Sequence, residues 1–268
     1  MIDNQFLRSG IVRPTQKVKR SQEMAEYLVN KVHSMGENCR FDMLHNSGGE
    51  YAVHEFCSAL GGVALRYLDA KTHVKCIDYA LKHGSSTNRL FSKELRDNEQ
   101  NDKYELRDYF RSFDRVIFLP GSNIMHTNID MTLVENAMTE NAVIKPHPIT
   151  NSGDINWLQT TFGKDNVLPA KVKGAELIKN CKRAYMAKNS ELWFLAIAFG
   201  CGVTDIGSNY GGDAYRPVID VITQNHVFQP VPAMNRIFGS CYSGIYFSYE
   251  EIDANVEKYI ELSRRFKC

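Results

Sequence analysis

The stretch Ala142-Val143-Ile144-Lys145-Pro146-His147-Pro148-Ile149-Thr150 decides the fold class. Its short apolar run predicts a buried strand. The two prolines end that strand, because proline has no amide proton and disfavours helix at the residue before it. In an open α/β sheet the carboxyl ends of the strands face the ligand crevice. We therefore expect Lys145 and His147 to meet an anionic ligand there, and the alternative is a strand-ending turn whose histidine binds a backbone carbonyl.

Apolar and amphipathic segments alternate on both sides of this stretch. The predicted strands are 40–45, 63–68, 74–77, 115–119, 142–144, 166–168, 183–187, 202–206 and 244–247. The predicted helices are 21–34, 50–60, 131–138, 155–162, 174–181, 191–199 and 248–266, the last opened by a Ser248/Glu251 capping box. This alternation is typical of an α/β fold with parallel sheets. Pro120-Gly121-Ser122 interrupts it, so we predict two domains, 1–125 and 126–268, that face each other across a cleft.

The composition and the net charge limit the classes of protein to which this chain can belong. The chain has 268 residues, of which 43% are hydrophobic and 24% charged, as expected for a folded globular protein. Lys and Arg number 32 against 31 Asp and Glu, so the charge pattern does not mark a nucleic-acid binder. No apolar run approaches the ~20 residues of a membrane span, and residues 1–5 do not resemble a signal peptide. We expect a cytoplasmic protein, with a peripheral position at the inner membrane face as an alternative.

The cysteines and acidic residues do not predict a metal site. The seven cysteines, at positions 39, 57, 76, 181, 201, 241 and 268, are odd in number, dispersed and without a Cys-x-x-Cys motif. This pattern predicts reduced thiols rather than a disulfide framework or a zinc cluster. The chain also has no Asp-x-Asp motif of the kind that holds a catalytic divalent cation. We expect no metal.

Two further segments follow predicted strands of the second half. Asn189 and Ser190 open the apolar helix 191–199, and the N-terminus of a helix presents unpaired amides and a partial positive charge. They predict a phosphate site, and an ordinary N-cap is the alternative. The glycine-rich segment 205–213 also begins at the end of a strand, so Asp205 is a candidate contact to a ligand, and a plain loop is the alternative.

Residues 115–265 resemble the donor half of GT-B glycosyltransferases. Lys145-Pro146-His147-Pro148, followed by Asn189-Ser190-Glu191 and a helix ending in Ala198-Phe199-Gly200, is similar to bacterial capsule-polysaccharide, sialyl- and Kdo-transferase types. Those enzymes carry an His-Pro motif and a later Ser or Ser-Ser motif. The resemblance implies two Rossmann-like domains with mostly parallel sheets, the acceptor bound by the first and the nucleotide sugar by the second. It also implies that His147 and Ser190 hold the donor phosphate.

The first half contains one segment with a similar resemblance. His45-Asn46-Ser47-Gly48-Gly49-Glu50 is similar to the loop of Kdo-transferase-like enzymes in which a glutamate after glycine is the general base. A carboxylate at a helix N-terminus that faces a cleft can accept the proton of an acceptor hydroxyl. The resemblance thus implies Glu50 as the base, with Asp42, His45 and His54 as alternatives.

Together the resemblance implies a metal-independent glycosyltransferase. It would move a sugar from a nucleotide sugar, CMP- or UDP-linked and without a further cofactor, to a hydroxyl of a glycan, a lipid-linked glycan or a modified nucleic-acid base. The site residues are Glu50 and His147 (catalytic), Lys145, His147, Asn189 and Ser190 (donor phosphate), and Ser47, Gly48, Gly49 and Asp205 (donor or acceptor loops).

Other functions share parts of this pattern. A polyol-phosphate transferase that uses a CDP-alcohol carries a similar His-Pro loop, and a nucleotide-binding α/β module without transfer activity is a third alternative. The formal charge of +1 argues against a DNA acceptor, although Arg13, Lys17, Lys19 and Arg20 form a local basic cluster. The sequence leaves open the sugar, the stereochemistry and the oligomeric state.

Overall fold

The computed structural model describes residues 16–41, 50–56, 61–84, 111–208, 215–225 and 230–267. Its strands are β1 (Cys39–Phe41), β2 (Tyr51–Phe56), β3 (Gly62–Tyr67), β4 (Arg115–Phe118), β5 (Val143–Lys145), β6 (Arg183–Met186), β7 (Gly202–Asp205) and β8 (Ile245–Tyr246). Its α-helices are α1 (Gln16–Ser34), α2 (Ala70–His83), α3 (Ser122–Asn128), α4 (Met131–Thr139), α5 (Ser152–Phe162), α6 (Gly174–Asn180), α7 (Leu192–Phe199), α8 (Arg216–Asn225), α9 (Pro230–Phe238) and α10 (Tyr249–Phe266). The chain is thus α/β, as predicted.

The described residues form two compact units. The first unit takes its residues from 15–100 and 211–268, and the second from 101–210. This division differs from the predicted boundary at residue 125, because the end of the chain belongs to the first unit. Strand β8 pairs there with β3, through Val63 with Tyr246 and Ala64 with Ile245.

The sheet of the first unit is mixed, with the strand order β1-β2-β3-β8. Only β1 and β2 run parallel, and β3 is antiparallel to both β2 and β8. The prediction of a mostly parallel sheet is therefore wrong for this unit. The physical reason is that β2 and β3 follow each other closely in the chain, and a short connection joins antiparallel neighbours rather than parallel ones.

Two element assignments in the first unit are also corrected. Residues 51–56, predicted as helix, form β2, and residues 74–77, predicted as strand, lie inside α2. Five of the six side chains of β2 are buried, so the strand has no polar face that would reveal a period of two. Asp69 caps α2 by accepting a hydrogen bond from the Thr72 amide at 2.7 Å.

Helices α1 and α10 supply much of the core of the first unit. Their buried side chains, which include Met24, Leu28, Val32, Ile252, Val256 and Tyr259, form one cluster with those of β2 and β3. The predicted capping box of α10 is confirmed, since Ser248 Oγ accepts from the Glu251 amide at 3.2 Å and the Glu251 carboxylate accepts from the Phe247 amide at 2.7 Å.

The second unit contains the predicted parallel sheet. Its strand order is β5-β4-β6-β7, and all three pairings are parallel. In this unit the chain forms β4 first. Strand β5 then lies on one side of β4, and β6 and β7 lie on the other side. The order therefore reverses between β4 and β6, which is the topological switch point of a doubly wound sheet. The predicted strand 166–168 is instead a 3₁₀ turn, Lys164–Asn166, and a single bridge between Val167 and Ile144.

None of the helices in the described ranges combines the length and the apolar character that crossing a membrane requires.

Candidate functional site

Four loops leave the carboxyl edge of the parallel sheet in the second unit. They follow β4, β5, β6 and β7 and span residues 119–121, 146–151, 187–191 and, in the described part, 206–208. We call them the carboxyl-edge loops. Because the four strands are parallel, all four loops lie at one edge of the sheet. The loops after β4 and β6 flank the switch point, where doubly wound sheets bind their ligands.

His147 lies in the loop after β5, as the sequence predicts. The loop turns tightly, with the Thr150 amide donating to the His147 carbonyl at 2.9 Å. The half-buried imidazole accepts from the Ile149 amide through Nδ1 at 3.4 Å, which assigns the proton of a neutral ring to Nε2. Nδ1 thus faces a backbone amide, whereas the alternative interpretation of the sequence placed a backbone carbonyl against the histidine.

A buried hydroxyl lies in the same loop. Thr150 is 5% exposed, and its Oγ1 has no hydrogen-bond partner in the described part of the chain. Buried polar groups in folded proteins are almost always hydrogen-bonded, and an exception calls for an explanation such as strain, a catalytic role, or a bound water or ion. The loop after β5 therefore contains an unsatisfied hydroxyl in addition to His147, the residue that is predicted to bind the phosphate.

Lys145 differs from the prediction that it meets a phosphate. Its side chain is buried, and Nζ donates to the backbone carbonyls of Pro146 at 2.5 Å and Ala170 at 2.9 Å. Burial lowers the pKa of Lys145 to about 7. The ammonium thus holds the loop after β5 against residue 170, and these contacts use two of its three protons.

We expect a specific dependence of stability on pH from Lys145. Its pKa is about 7 when folded and about 10.5 when exposed, so between these values the unfolded chain binds more protons and stability rises with pH. From pH 7 to 9 the wild type should gain about 2 kcal/mol in unfolding free energy relative to Lys145→Met. Urea unfolding followed by tryptophan fluorescence measures this, because Trp157 and Trp193 both lie in the second unit. Lys171→Met, at an exposed position, is the control, and an equal pH slope in all three proteins would contradict the assignment.

The loop after β6 contains Asn189 and Ser190, both half-buried. Ser190 Oγ accepts from the Leu192 amide at 3.3 Å, and the Ser190 carbonyl accepts from the Trp193 amide at 3.2 Å. The hydroxyl thus satisfies the first amide of α7 from the position before the N-cap, which is Glu191 and makes no side-chain cap hydrogen bond. A phosphate at this helix start would compete with Ser190 for the Leu192 amide.

Lys188 is a cation at the switch point that sequence reasoning missed. It lies two residues after β6, and Nζ is 3.7 Å from an Asp205 carboxylate oxygen, with only 17% of the lysine side chain exposed. Asp205 ends β7, as predicted, and also accepts from the Gly207 amide at 2.9 Å. The signal was present in the sequence, because Lys188 directly precedes Asn189 and Ser190.

The first residue of α3, directly after the loop that follows β4, is joined to the loop after β5. Ser122 Oγ accepts from the Asn151 amide at 2.9 Å. A hydrogen bond from Ser122 is the main reason that the pKa of Asp154 is lowered, and a second comes from His126 at 3.0 Å. An added Cβ at Gly121 would lie 2.9 Å from the Ile149 side chain, which would have to shift. These contacts hold the segments after β4 and β5 together on one side of the switch point.

The structure gives Glu50 surroundings that differ from the prediction. It directly precedes strand β2 and not a helix, and its carboxylate forms an ion pair with Lys267 at 2.5 Å. The hydrogen bond from Lys267 lowers the pKa of Glu50, whereas a general base is most effective when its pKa lies near the working pH. Of the alternatives, His54 is buried in β2 and its pKa is lowered by burial.

Several predicted site residues lie outside the described residues. They are Ser47, Gly48 and Gly49 of the glycine loop and the alternative bases Asp42 and His45.

Comparisons of this chain with protein-family models, with curated proteins and with solved structures give no match. The function is therefore argued from the geometry of the carboxyl-edge loops.

Proposed function

We propose that this protein is a glycosyltransferase that takes a sugar from a nucleotide sugar, bound by the second unit, and transfers it to a hydroxyl acceptor. The observation that supports the proposal best is the all-parallel sheet with the order β5-β4-β6-β7. Such a sheet binds nucleotides and phosphates outside the carboxyl ends of its strands at the switch point. Here that position is flanked by Lys188, Asn189 and Ser190, and His147 follows the neighbouring strand β5.

These side chains suit the departure of a nucleoside phosphate. In the proposed reaction the acceptor oxygen bonds to the anomeric carbon, the bond from that carbon to the phosphate oxygen breaks, and the phosphate leaves with the electron pair. The Nε2 proton of His147 and the ammonium of Lys188 stabilise the charge that develops on the phosphate. The hydroxyl of Ser190 and the amide of Asn189 supply further donors.

The proton of the acceptor hydroxyl goes to a base, and the family resemblance alone supports Glu50 in that role. Because Glu50 is paired with Lys267, its use as a base requires that this ion pair opens. If Glu50→Gln transferred sugar at the wild-type rate, the base would have to be another residue.

Nucleotide affinity tests the donor site. We expect Lys188→Gln to weaken binding of the correct nucleoside diphosphate or monophosphate by about tenfold, because a charge-assisted hydrogen bond contributes about 1.5–3 kcal/mol. Isothermal titration calorimetry with CMP, UDP and GDP, each compared with its sugar conjugate, measures this. Lys182→Gln is the matched control. Lys182 lies just before β6, the strand that Lys188 follows, and is exposed at the opposite edge of the sheet. Equal losses in both variants would contradict a phosphate site at the switch point.

The reaction product distinguishes the proposed glycosyltransferase from the two alternative functions. A sugar transferase adds the mass of a glycosyl residue to the acceptor and releases a nucleotide. A CDP-alcohol transferase, the alternative suggested by the His-Pro loop, adds a phosphorylated alcohol and releases CMP. Tight nucleotide binding without release of either product would favour a nucleotide-binding module, and binding of no nucleotide would overturn the proposal.

A further inference from the structure

Two thiols are in contact at the amino edge of the sheet in the second unit. Cys181 Sγ and Cys201 Sγ lie 3.4 Å apart. Cys181 directly follows α6, and Cys201 lies between α7 and β7. The paired strands β6 and β7 begin at Arg183 and Gly202, which are register partners, so the sheet holds the two cysteines together. Both are free thiols in the structure.

The two thiols have different surroundings. Cys181 is 8% exposed, whereas Cys201 is half-buried and reachable from solvent. The hydrogen bond from the Cys181 thiol lowers the pKa of Cys201, and the same contact raises the pKa of Cys181. The thiolate is the reactive form of cysteine, so Cys201 is the thiol that an oxidant meets first.

We propose that Cys181 and Cys201 are a redox pair that closes to a reversible disulfide when a peroxide oxidises Cys201. The Cys201 thiolate attacks one oxygen of hydrogen peroxide, which gives a sulfenic acid and releases hydroxide, protonated to water. The Cys181 sulfur then attacks the sulfenic sulfur, the S–O bond breaks, and a second water leaves with the Cys181 proton. A dithiol reductant cleaves the disulfide by thiol–disulfide exchange and restores both thiols. The sulfur atoms need to approach by only about 1.4 Å to reach bonding distance.

The disulfide would enclose the chain from 181 to 201. This segment contains β6, the carboxyl-edge loop 187–191 and α7. A covalent link between its ends reduces the freedom of the unfolded chain, so oxidation should raise the stability of the second unit. The inference does not depend on the proposed function, because it rests on the two sulfur atoms alone.

Peptide mapping tests the pair in the full-length chain. The reduced protein is treated with a small excess of hydrogen peroxide, its remaining thiols are alkylated after unfolding, and the digest is examined by mass spectrometry. We expect one crosslinked peptide pair that contains Cys181 and Cys201 and is lighter by two hydrogen atoms than the reduced peptides. The urea midpoint of the tryptophan signal should rise on oxidation and return to its starting value with dithiothreitol.

Single variants separate a redox pair from general thiol oxidation. Cys201→Ser should lose the crosslink and the shift in midpoint, and Cys181→Ser should leave Cys201 as a sulfenic acid that dimedone traps. Cys241→Ser, at a half-buried cysteine of the first unit, should keep both the crosslink and the shift. The proposal is overturned if peroxide carries Cys201 to sulfinic acid while Cys181 of the wild type is still alkylated. A crosslink to any other cysteine overturns it as well.

Discussion

The His147→Ala variant should lose about a hundredfold in kcat for transfer from the correct nucleotide sugar, because a donor aimed at developing charge contributes about 10²–10³ in rate. The expected loss follows from the tautomer of the ring. In a neutral ring whose Nδ1 accepts from the Ile149 amide, Nε2 carries the proton, and in the proposed site that proton is donated to a phosphate oxygen. Steady-state kinetics with the donor identified by calorimetry gives the measurement.

Two further substitutions at His147 distinguish a catalytic donor from a residue that only shapes the loop. The side-chain oxygen of asparagine can replace Nδ1 as the acceptor for the Ile149 amide, but asparagine has no group at the Nε2 position. Glutamine places an amide donor near Nε2. We therefore expect His147→Asn to be as slow as His147→Ala and His147→Gln to recover part of the rate. Wild-type turnover in His147→Ala would show that the histidine does not act on the phosphate.

Acid should destabilise the first unit through its buried histidines. His73 of α2 is 4% exposed, and its Nδ1 lies 2.9 Å from the Tyr259 hydroxyl oxygen, which itself accepts from the Tyr67 amide at 2.9 Å. In the tautomer of His73 that is protonated at Nε2, the tyrosine hydroxyl donates its one proton to Nδ1. A protonated His73 would present a second donor at this contact and leave the buried tyrosine proton without its acceptor.

The pKa of His73 is lowered to about 3, first by burial and second by the charge of Arg66. The pKa of His54 is lowered by the same two causes, in the same order. Below pH 6.5 the unfolded chain binds more protons than the folded one, so stability is lost as the pH falls towards the folded pKa. For His73 alone the loss should reach about 2 kcal/mol at pH 5 and about 3 kcal/mol at pH 4.

Hydrogen exchange of β2 and β3 peptides measures this effect, because both tryptophans lie in the other unit and do not report on the first. His73→Asn keeps an acceptor for Tyr259 but does not titrate, so its protection should change less between pH 7 and 5, after correction for the intrinsic exchange rate. His33→Asn, at an exposed position of α1 where the ring contacts the Cys39 carbonyl at 2.7 Å, controls for the loss of a histidine that is not buried, and it should keep the dependence of protection on pH that His73→Asn loses. An unchanged pH dependence in His73→Asn would refute the role of this histidine.

The sequence predicted those segments in which the apolar pattern and the residues that start or end an element indicate the same element. Strand β4 is a short apolar run stopped by Pro120-Gly121, and β5 is stopped by Pro146, so both strands and the loops after them lie where the sequence placed them. The helix α10 has its cap, its apolar stripe and its basic end in the chain itself. The position of His147 and the start of α7 near Ser190 follow from the same local chemistry.

The tertiary structure decided which segments are neighbours and what each side chain meets. The return of β8 to β3 joins residues far apart in the chain, and no local pattern encodes that pairing; a mixed sheet results where a parallel one was predicted. Strand β2 lacked a visible alternation because most of its side chains are buried.

The sequence by itself thus determined the α/β class, the strand that ends at Lys145-Pro146-His147, and the cap of α10, because proline, capping residues and apolar runs act over a few residues. Only the tertiary structure buried the Lys145 ammonium against two carbonyls, set Lys188 beside Asp205 at the switch point, and brought Cys181 to Cys201. Apart from the bond of Lys145 to the next residue, Pro146, these contacts join different strands and loops. The packing of the sheet creates them, and the order of residues does not reveal them.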